Sequence, residues 1–232
     1  MDVDLNADLG EGAGSDAAVM PLVTSANVSC GAHAGDPDGV RATLELARDA
    51  GVVVGAHPGY PDREHFGRRE LDLPGRQLGT TLFHQVGGLD GLARLAGVRV
   101  RYLKPHGALY HQACRDERFA RPVAAAAALF GLTLIGLPGS ALERAAAAVR
   151  VPFAAEGFAD RRYRPDGTLV PRTEPDAFVH DPDEAAEQVE RLVRDRGVRT
   201  VCVHGDNPAA VRFAAAVRAA LLARGHRLAA FA

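Results

Sequence analysis

The side chains best suited to chemistry in this sequence gather in six short polar turns, each preceded by an apolar run. They read Asn6-Ala7-Asp8-Leu9-Gly10-Glu11, Cys30-Gly31-Ala32-His33-Ala34-Gly35-Asp36, Gly55-Ala56-His57-Pro58-Gly59-Tyr60-Pro61-Asp62, Lys104-Pro105-His106-Gly107, Phe158-Ala159-Asp160-Arg161 and His204-Gly205-Asp206-Asn207. One Asp or His after an apolar run is usually a cap or a turn residue. The glycine beside it usually serves a positive φ angle. Six such turns in succession, carrying His33, His57, His106 and His204, read together as an active site. Three chemistries fit. Asp8 with His33 and His57 could bind zinc or a similar ion, although their spacing is non-local. Asp8, Glu11, His204 and Asp206 could act as general acids and bases near neutral pH, with Lys104 steadying a negative charge that develops on an oxygen. The same residues could simply bind an anion or a sugar.

Composition sharpens this reading. The chain carries 27 basic residues, and Lys104 is the one lysine among them; asparagine occurs at positions 6, 27 and 207 alone. Arginine serves wherever a generic cation will do. A lysine kept amid that bias is a candidate for a compact point charge, or for a change of protonation that arginine does not make. The single isoleucine, Ile135, shows that rarity alone proves nothing. Lys104, Asn6, Asn27 and Asn207 gain weight because all four fall in or beside these turns.

The elements that position the turns follow from the pattern between them. Strands are expected over 3–7, 26–29, 52–55, 101–103, 132–135, 152–155 and 200–203, with a weaker one over 227–230. Helices are expected over 37–50, 77–96, 117–130, 141–149, 182–196 and 208–224. Asp36-Pro37, Asp181-Pro182 and Asn207-Pro208 each place a capping oxygen before a first-turn proline. Ala50-Gly51 and Arg196-Gly197 mark helix ends. Residues 57–76 and 156–173 break the rhythm and read as long loops, the second with a hairpin turn at Pro165-Asp166-Gly167. The βα alternation points to a parallel sheet covered by helices. A single-domain α/β barrel spanning 1–232, with seven or eight strands, is the expected architecture, and a doubly wound open sheet is the alternative. In a barrel the six turns would meet at the C-terminal mouth.

Bulk properties exclude other classes. A formal net charge of −2 without blocks of like charge argues against a nucleic-acid partner or a membrane surface. The opening Met1-Asp2-Val3-Asp4-Leu5 has no basic stretch before an apolar one, so no signal peptide is expected and the protein is read as cytoplasmic. Cys30, Cys114 and Cys202 make an odd set that argues against a disulfide framework. Cys30 and Cys202 read as small buried residues rather than nucleophiles. No Walker or kinase-type glycine loop is present, so the sequence offers no recognisable nucleotide site of its own.

Taken as blocks, these residues resemble the LamB/YcsF family of 5-oxoprolinase A subunits. The blocks are Asp4 through Glu11, Ala26 through Asp36, Gly55 through Arg63 with Phe66-Gly67-Arg68, and Lys104-Pro105-His106-Gly107-Ala108-Leu109-Tyr110. Phe158 through Arg161, Asp166-Gly167, Leu169-Val170-Pro171-Arg172 and His204-Gly205-Asp206 complete the set in the family's order. The resemblance implies a barrel related to the glycoside hydrolase/deacetylase barrels, with imperfect closure. It implies a reaction in which 5-oxoproline, ATP and water give glutamate, ADP and phosphate, with partner subunits B and C. ATP is then a co-substrate bound with those partners. Carried over residue by residue, the catalytic set is Asp8, Glu11, His33, His57, Lys104, His106, Asp160, His204 and Asp206. The substrate-binding set is Asn6, Asn27, Arg161 and Arg172. No metal ligand is assigned and no tightly held metal is expected, because phosphorylation already makes the lactam carbonyl electrophilic. A stand-alone metal-dependent deacetylase or amidase, and a non-catalytic lactam-binding subunit, are the competing readings. The sequence departs from the family at Ala32, where an aromatic residue is usual, at Gly59, where serine is common, and at His111; a short segment before Thr200 is also missing.

Overall fold

The computed structural model describes residues 2–172, 174–203 and 210–232. Strand β1 (Asp2–Leu9) sets the architecture. Its Val3, Leu5, Ala7 and Leu9 pack into the apolar clusters shared with the helices. Asp4, Asn6 and Asp8 alternate with them. On a sheet with one wet face, that alternation would put the polar residues in water. Here Asp4 is 1% and Asn6 0% exposed, because the sheet curls on itself and its polar face lines the inside of a barrel.

Strands β2 (Ser25–Ser29), β3 (Val53–His57), β4 (Val100–Leu103), β5 (Thr133–Gly136), β6 (Phe153–Phe158) and β7 (Thr200–Cys202) follow in order, each parallel to its neighbours. β1 pairs with both β2 and β7, so the seven-stranded ring closes. The imperfect closure implied by the family resemblance is therefore not found. Its thinnest seam is β4–β5, joined at Tyr102↔Thr133 and Leu103↔Leu134. β8 (Arg227–Leu228) pairs with Asp2 and Val3. Val3 O accepts from Ala229 N, and Leu5 O, on the same edge of β1, accepts from Thr24 N. β8 therefore extends that edge below β2 and stands outside the ring.

Tyr102, Ile135, Ala154 and Phe231 form an apolar cluster together with Val53. The rings of Tyr102 and Phe231 lie 5.2 Å apart. Gly55 makes room for Tyr102, since a Cβ there would fall 1.9 Å from Tyr102 Cε2.

The helices are α1 (Asp16–Val19), α2 (Pro37–Ala50), α3 (Gly75–Ala96), α4 (Gly107–Arg115), α5 (Glu117–Phe130), α6 (Ala141–Ala148), α7 (Pro182–Arg196) and α8 (Ala210–Ala223). The expected caps on α2 and α7 are made: Asp36 accepts from Gly39 N at 2.9 Å and Asp181 from Glu184 N at 2.8 Å. The cap expected at Asn207 lies outside the described residues. Helices α1 and α4 are additional to those expected. α4 begins with a glycine and has no side-chain cap, which removes the usual signal for a helix start.

Two strand boundaries differ from expectation in ways that matter for the site. β3 runs on to His57, and β6 runs on to Phe158. His57 and Glu156 therefore belong to strands rather than to the loops expected at 57–76 and 156–173. The rest of the second loop is a small hairpin, bridged at Arg161↔Phe178 and Tyr163↔Leu169, with Gly167 N donating to Arg164 O at the turn. No described helix is long and apolar enough to cross a membrane.

Candidate active site

Lys104 is the first residue after β4 and stands at the centre of the mouth, 3% exposed. Its Nζ lies 2.9 Å from Glu156 Oε1, 3.0 Å from Asp8 Oδ1, 3.1 Å from Cys202 Sγ and 3.3 Å from Asn6 Oδ1. Burial, the largest single influence, pushes its pKa down. The negative charges around it, Asp8 foremost, outweigh that and hold it well above the ordinary lysine value. Lys104 is thus a fixed cation. The Cys202 thiol is held well above its ordinary value, chiefly by burial, and stays protonated.

A ladder of amides and hydroxyls supports this centre from inside the barrel. Asn27 Nδ2 donates to Asn6 Oδ1 at 2.6 Å and to Asp8 Oδ1 at 2.7 Å. Asn6 Nδ2 donates to Thr200 Oγ1 at 2.6 Å and to Glu156 Oε1 at 3.3 Å. Thr200 Oγ1 in turn donates to Asp4 Oδ2 at 2.5 Å, while Thr24 and Ser25 hydroxyls donate to Asp4 Oδ1. Asn6 and Asn27 were expected to bind substrate. The structure buries both completely, where they hold Asp8, Glu156 and Lys104 in place.

The histidines form a second group beside Asp8. His57 Nδ1 donates to Lys104 O at 2.8 Å, which turns its Nε2 towards Asp8 Oδ2 at 3.3 Å. His106 Nε2 donates to Phe66 O at 2.8 Å, which turns its Nδ1 towards Glu11 Oε1 at 3.3 Å and His57 Nε2 at 3.0 Å. Burial pulls the His57 pKa down, but the adjacent Asp8 outweighs it and the net shift is upward. His106 is held well below its ordinary value by burial and by the neighbouring imidazoles. His33 is not at the point of convergence. It stacks face to face on His106, with ring centroids 3.7 Å apart, and reaches Glu11 Oε1 through Nε2 at 3.0 Å. Burial lowers its pKa.

Backbone shape makes this stack possible. Gly67 has φ +63°, and a Cβ on it would lie 2.9 Å from His33 Cβ and 3.1 Å from His106 Cδ2. Gly59, one of the departures from the family pattern, presses on the same pair: its Cβ would lie 3.0 Å from His33 Nδ1.

Among the described residues, donor atoms of Asp8, Glu11, His57 and His106 lie within 4.8 Å of one another, a grouping able to hold a metal ion. The trio considered from the sequence, Asp8, His33 and His57, shares two members with it.

Asp8, Glu11, His57, Lys104 and His106 line the floor of a cavity of about 970 Å³. Its walls carry Arg68, Arg115, Arg161, Arg164, Arg172 and Arg196. Several of these are already engaged: Arg161 donates to Val170 O and Ala177 O, and Arg115 pairs with Glu70. Asp160 follows β6, and its carbonyl accepts from Val179 N. His204 and Asp206 lie outside the described residues.

Sequence reading misses Glu156, which is 1% exposed and is the second carboxylate on Lys104. A lone acid within Phe153-Ala154-Ala155-Glu156-Gly157-Phe158 is the available signal. The strand expected over 152–155 stops one residue short of it.

The chain matches the model of the LamB/YcsF family over residues 3–232. It is 49% identical to the 5-oxoprolinase A subunit of Paracidovorax citrulli, covering 100% of both chains. It is 45% identical to the protein of that name in Streptomyces avermitilis, covering 99% of this chain and 100% of the other. Among solved structures it resembles a lactam utilization protein from Thermus thermophilus, with a TM-score of 0.92 and 39% identity over 100% of both chains. A putative cellobiose-phosphate cleavage protein from Enterococcus faecalis shares the fold alone, at 13% identity and a TM-score of 0.62 over 98% of this chain and 96% of the other.

Proposed function

The chain belongs to the LamB/YcsF family, and from that premise we propose that it is the A subunit of a 5-oxoprolinase, opening the lactam of 5-oxoproline to give glutamate. The relatives bearing that name match it end to end. The observation that carries the mechanism is the buried Lys104, fixed between Asp8 and Glu156 at the floor of an arginine-walled cavity.

Opening a five-membered lactam needs an electrophilic carbonyl carbon, a water relieved of a proton, and a proton for the departing ring nitrogen. An unactivated amide supplies none of these. In this reading ATP provides the first by phosphorylating the carbonyl oxygen, and partner subunits B and C hold the nucleotide. Asp8, Glu11 and the histidines beside them orient and deprotonate the water that adds to the carbonyl carbon. The carbon–nitrogen bond then breaks, the nitrogen takes up a proton to become the amino group, and the γ-glutamyl phosphate left behind is hydrolysed by a second water to glutamate and phosphate. Lys104 supplies a preorganised positive charge towards oxygen-borne negative charge in the transition state. Arg172 and its neighbours on the wall suit the substrate carboxylate and the added phosphoryl group.

The test is 5-oxoproline-dependent formation of glutamate and ADP by the purified chain, alone and with subunits B and C. Turnover is expected with both partners present and not with the chain alone. Efficient turnover by the single chain, or no glutamate from the full set, would contradict the reading.

A further inference from the structure

We propose that Asp8, Glu11, His57 and His106 form a binding site for one divalent transition-metal cation of the zinc class. Hydrogen positions on the two imidazoles lead to this site. A carbonyl oxygen only accepts, so the bond to Lys104 O fixes the proton of His57 on Nδ1. The bond to Phe66 O likewise fixes the proton of His106 on Nε2. The two remaining nitrogens, His57 Nε2 and His106 Nδ1, lie 3.0 Å apart, and in the neutral rings both carry lone pairs. Two lone pairs held this close repel unless a cation lies between them or beside them.

The carboxylates fit the same demand. Asp8 Oδ2 is 3.3 Å from His57 Nε2, and Glu11 Oε1 is 3.3 Å from His106 Nδ1 and 3.9 Å from His57 Nε2. With metal–ligand bonds of about 2.0–2.1 Å, the nitrogen pair would subtend roughly 95° at the ion, and each 3.3 Å nitrogen–oxygen pair roughly 105°. The 3.9 Å Glu11–His57 pair would subtend roughly 145°, so the set suits a strongly distorted four-coordinate site or a higher-coordinate one left open to water on the cavity side. Two imidazole nitrogens and two carboxylate oxygens are a donor set for zinc or a neighbouring first-row ion.

Charge balance and outer contacts point the same way. Among the described residues, Asp8, Glu11 and Glu156 face one cation, Lys104, and two of the three touch it. Counted over these four described residues and neutral imidazoles, the cluster carries a net charge of −2, which one divalent ion would cancel and one shared proton would not. Both imidazoles are anchored through their far nitrogens to backbone carbonyls, the arrangement that orients metal-ligating histidines. His33 stays outside the set because its Nε2 faces Glu11. The sequence-based expectation of no tightly held metal is therefore reversed in this proposal.

The ligands are residues that the lactam reading assigns to orienting water, so a bound ion would hold that water in their place, and metal binding can be measured without substrate. The full-length chain is stripped with chelator, dialysed against metal-free buffer, loaded with zinc and dialysed again, and its metal content is measured. Cobalt(II) is titrated in parallel while its visible d–d absorption is followed. One zinc per chain and a saturable cobalt spectrum are expected. His57→Ala and His106→Ala are each expected to hold zinc at least about 10-fold more weakly, while His226→Ala, whose imidazole pairs with Glu190 elsewhere, should match the parent. If the parent chain retains no zinc and gives no cobalt spectrum, a proton fills the gap and the proposal fails. Retention that is unchanged in both ligand variants also overturns it. The cobalt titration of the parent chain decides the question even if a variant folds poorly.

Discussion

Replacing Lys104 with methionine keeps the length of the side chain and removes its charge. Its ammonium sits 2.9 Å from Glu156 and 3.0 Å from Asp8, with side-chain exposures of 3%, 0% and 13% for the three residues. Nothing in bulk water can take over its role. Removing one member of such a buried set costs roughly 3–5 kcal/mol, because the remaining charges stay desolvated and unpaired. For a chain of 232 residues, each kcal/mol moves the melting temperature by about 2–4 °C. Lys104→Met should therefore lower it by roughly 6–20 °C. Glu156→Gln removes one of the stranded charges without changing shape. On its own it should cost about 1–3 kcal/mol, since it disturbs a good buried pair. In the Lys104→Met background it should instead restore stability, giving a coupling of at least about 2 kcal/mol in a double-mutant cycle. The assay is chemical denaturation of all four proteins in chelator, so that metal loading does not enter. Effects that add to within about 0.5 kcal/mol would refute the claim that this pair is energetically linked.

The histidine stack should be equally sensitive to backbone space: Gly67→Ala combines a φ of +63° with a Cβ 2.9 Å from His33 Cβ, so it should cost at least about 1 kcal/mol and lower glutamate formation in the assembled complex. Equal stability and activity in that variant would show that the stack does not depend on this glycine. Asp4 gives a pH signature. Burial, outweighing three hydroxyl hydrogen bonds, raises its pKa above the usual carboxylate range. The folded state then keeps a proton that the unfolded state has lost, so this group's contribution fades as pH rises from about 4 through its raised value. Asp4→Asn cannot titrate and should lose less stability than the parent over that rise; parallel melting curves from acid to neutral pH would contradict the assignment.

Much of the barrel was legible because its helices carry strong local punctuation. Asp36-Pro37 and Asp181-Pro182 start helices, and Gly51 and Gly197 end them in left-handed conformations. The grouping of Asp8, Glu11, His57, Lys104 and His106 around one cavity was legible because all five lie at or just beyond strand ends, which a barrel brings to one mouth. What escaped was decided by the interior. The polar alternation of Asp4, Asn6 and Asp8 looks the same whether a strand faces water or lines a barrel. The roles of Asn6 and Asn27 as internal supports depend on that difference. Glu156 was lost to a boundary error at β6, and helix α4 to the absence of a cap. His106 joins Asp8 and His57 where the sequence suggested His33, which stacks on His106 and turns its Nε2 to Glu11, a ring stack that no spacing in the sequence encodes.

The most direct measurement is glutamate formation from 5-oxoproline and ATP by the complex reassembled with subunits B and C, comparing the parent chain with Asp8→Asn. Asp8 touches Lys104, His57 and Asn27 at the cavity floor. If ring opening occurs there, the parent complex makes glutamate and the variant makes it about 100- to 1,000-fold more slowly, the usual cost of losing one preorganised electrostatic contact. An Asp8→Asn complex that forms glutamate at the parental rate would contradict the account.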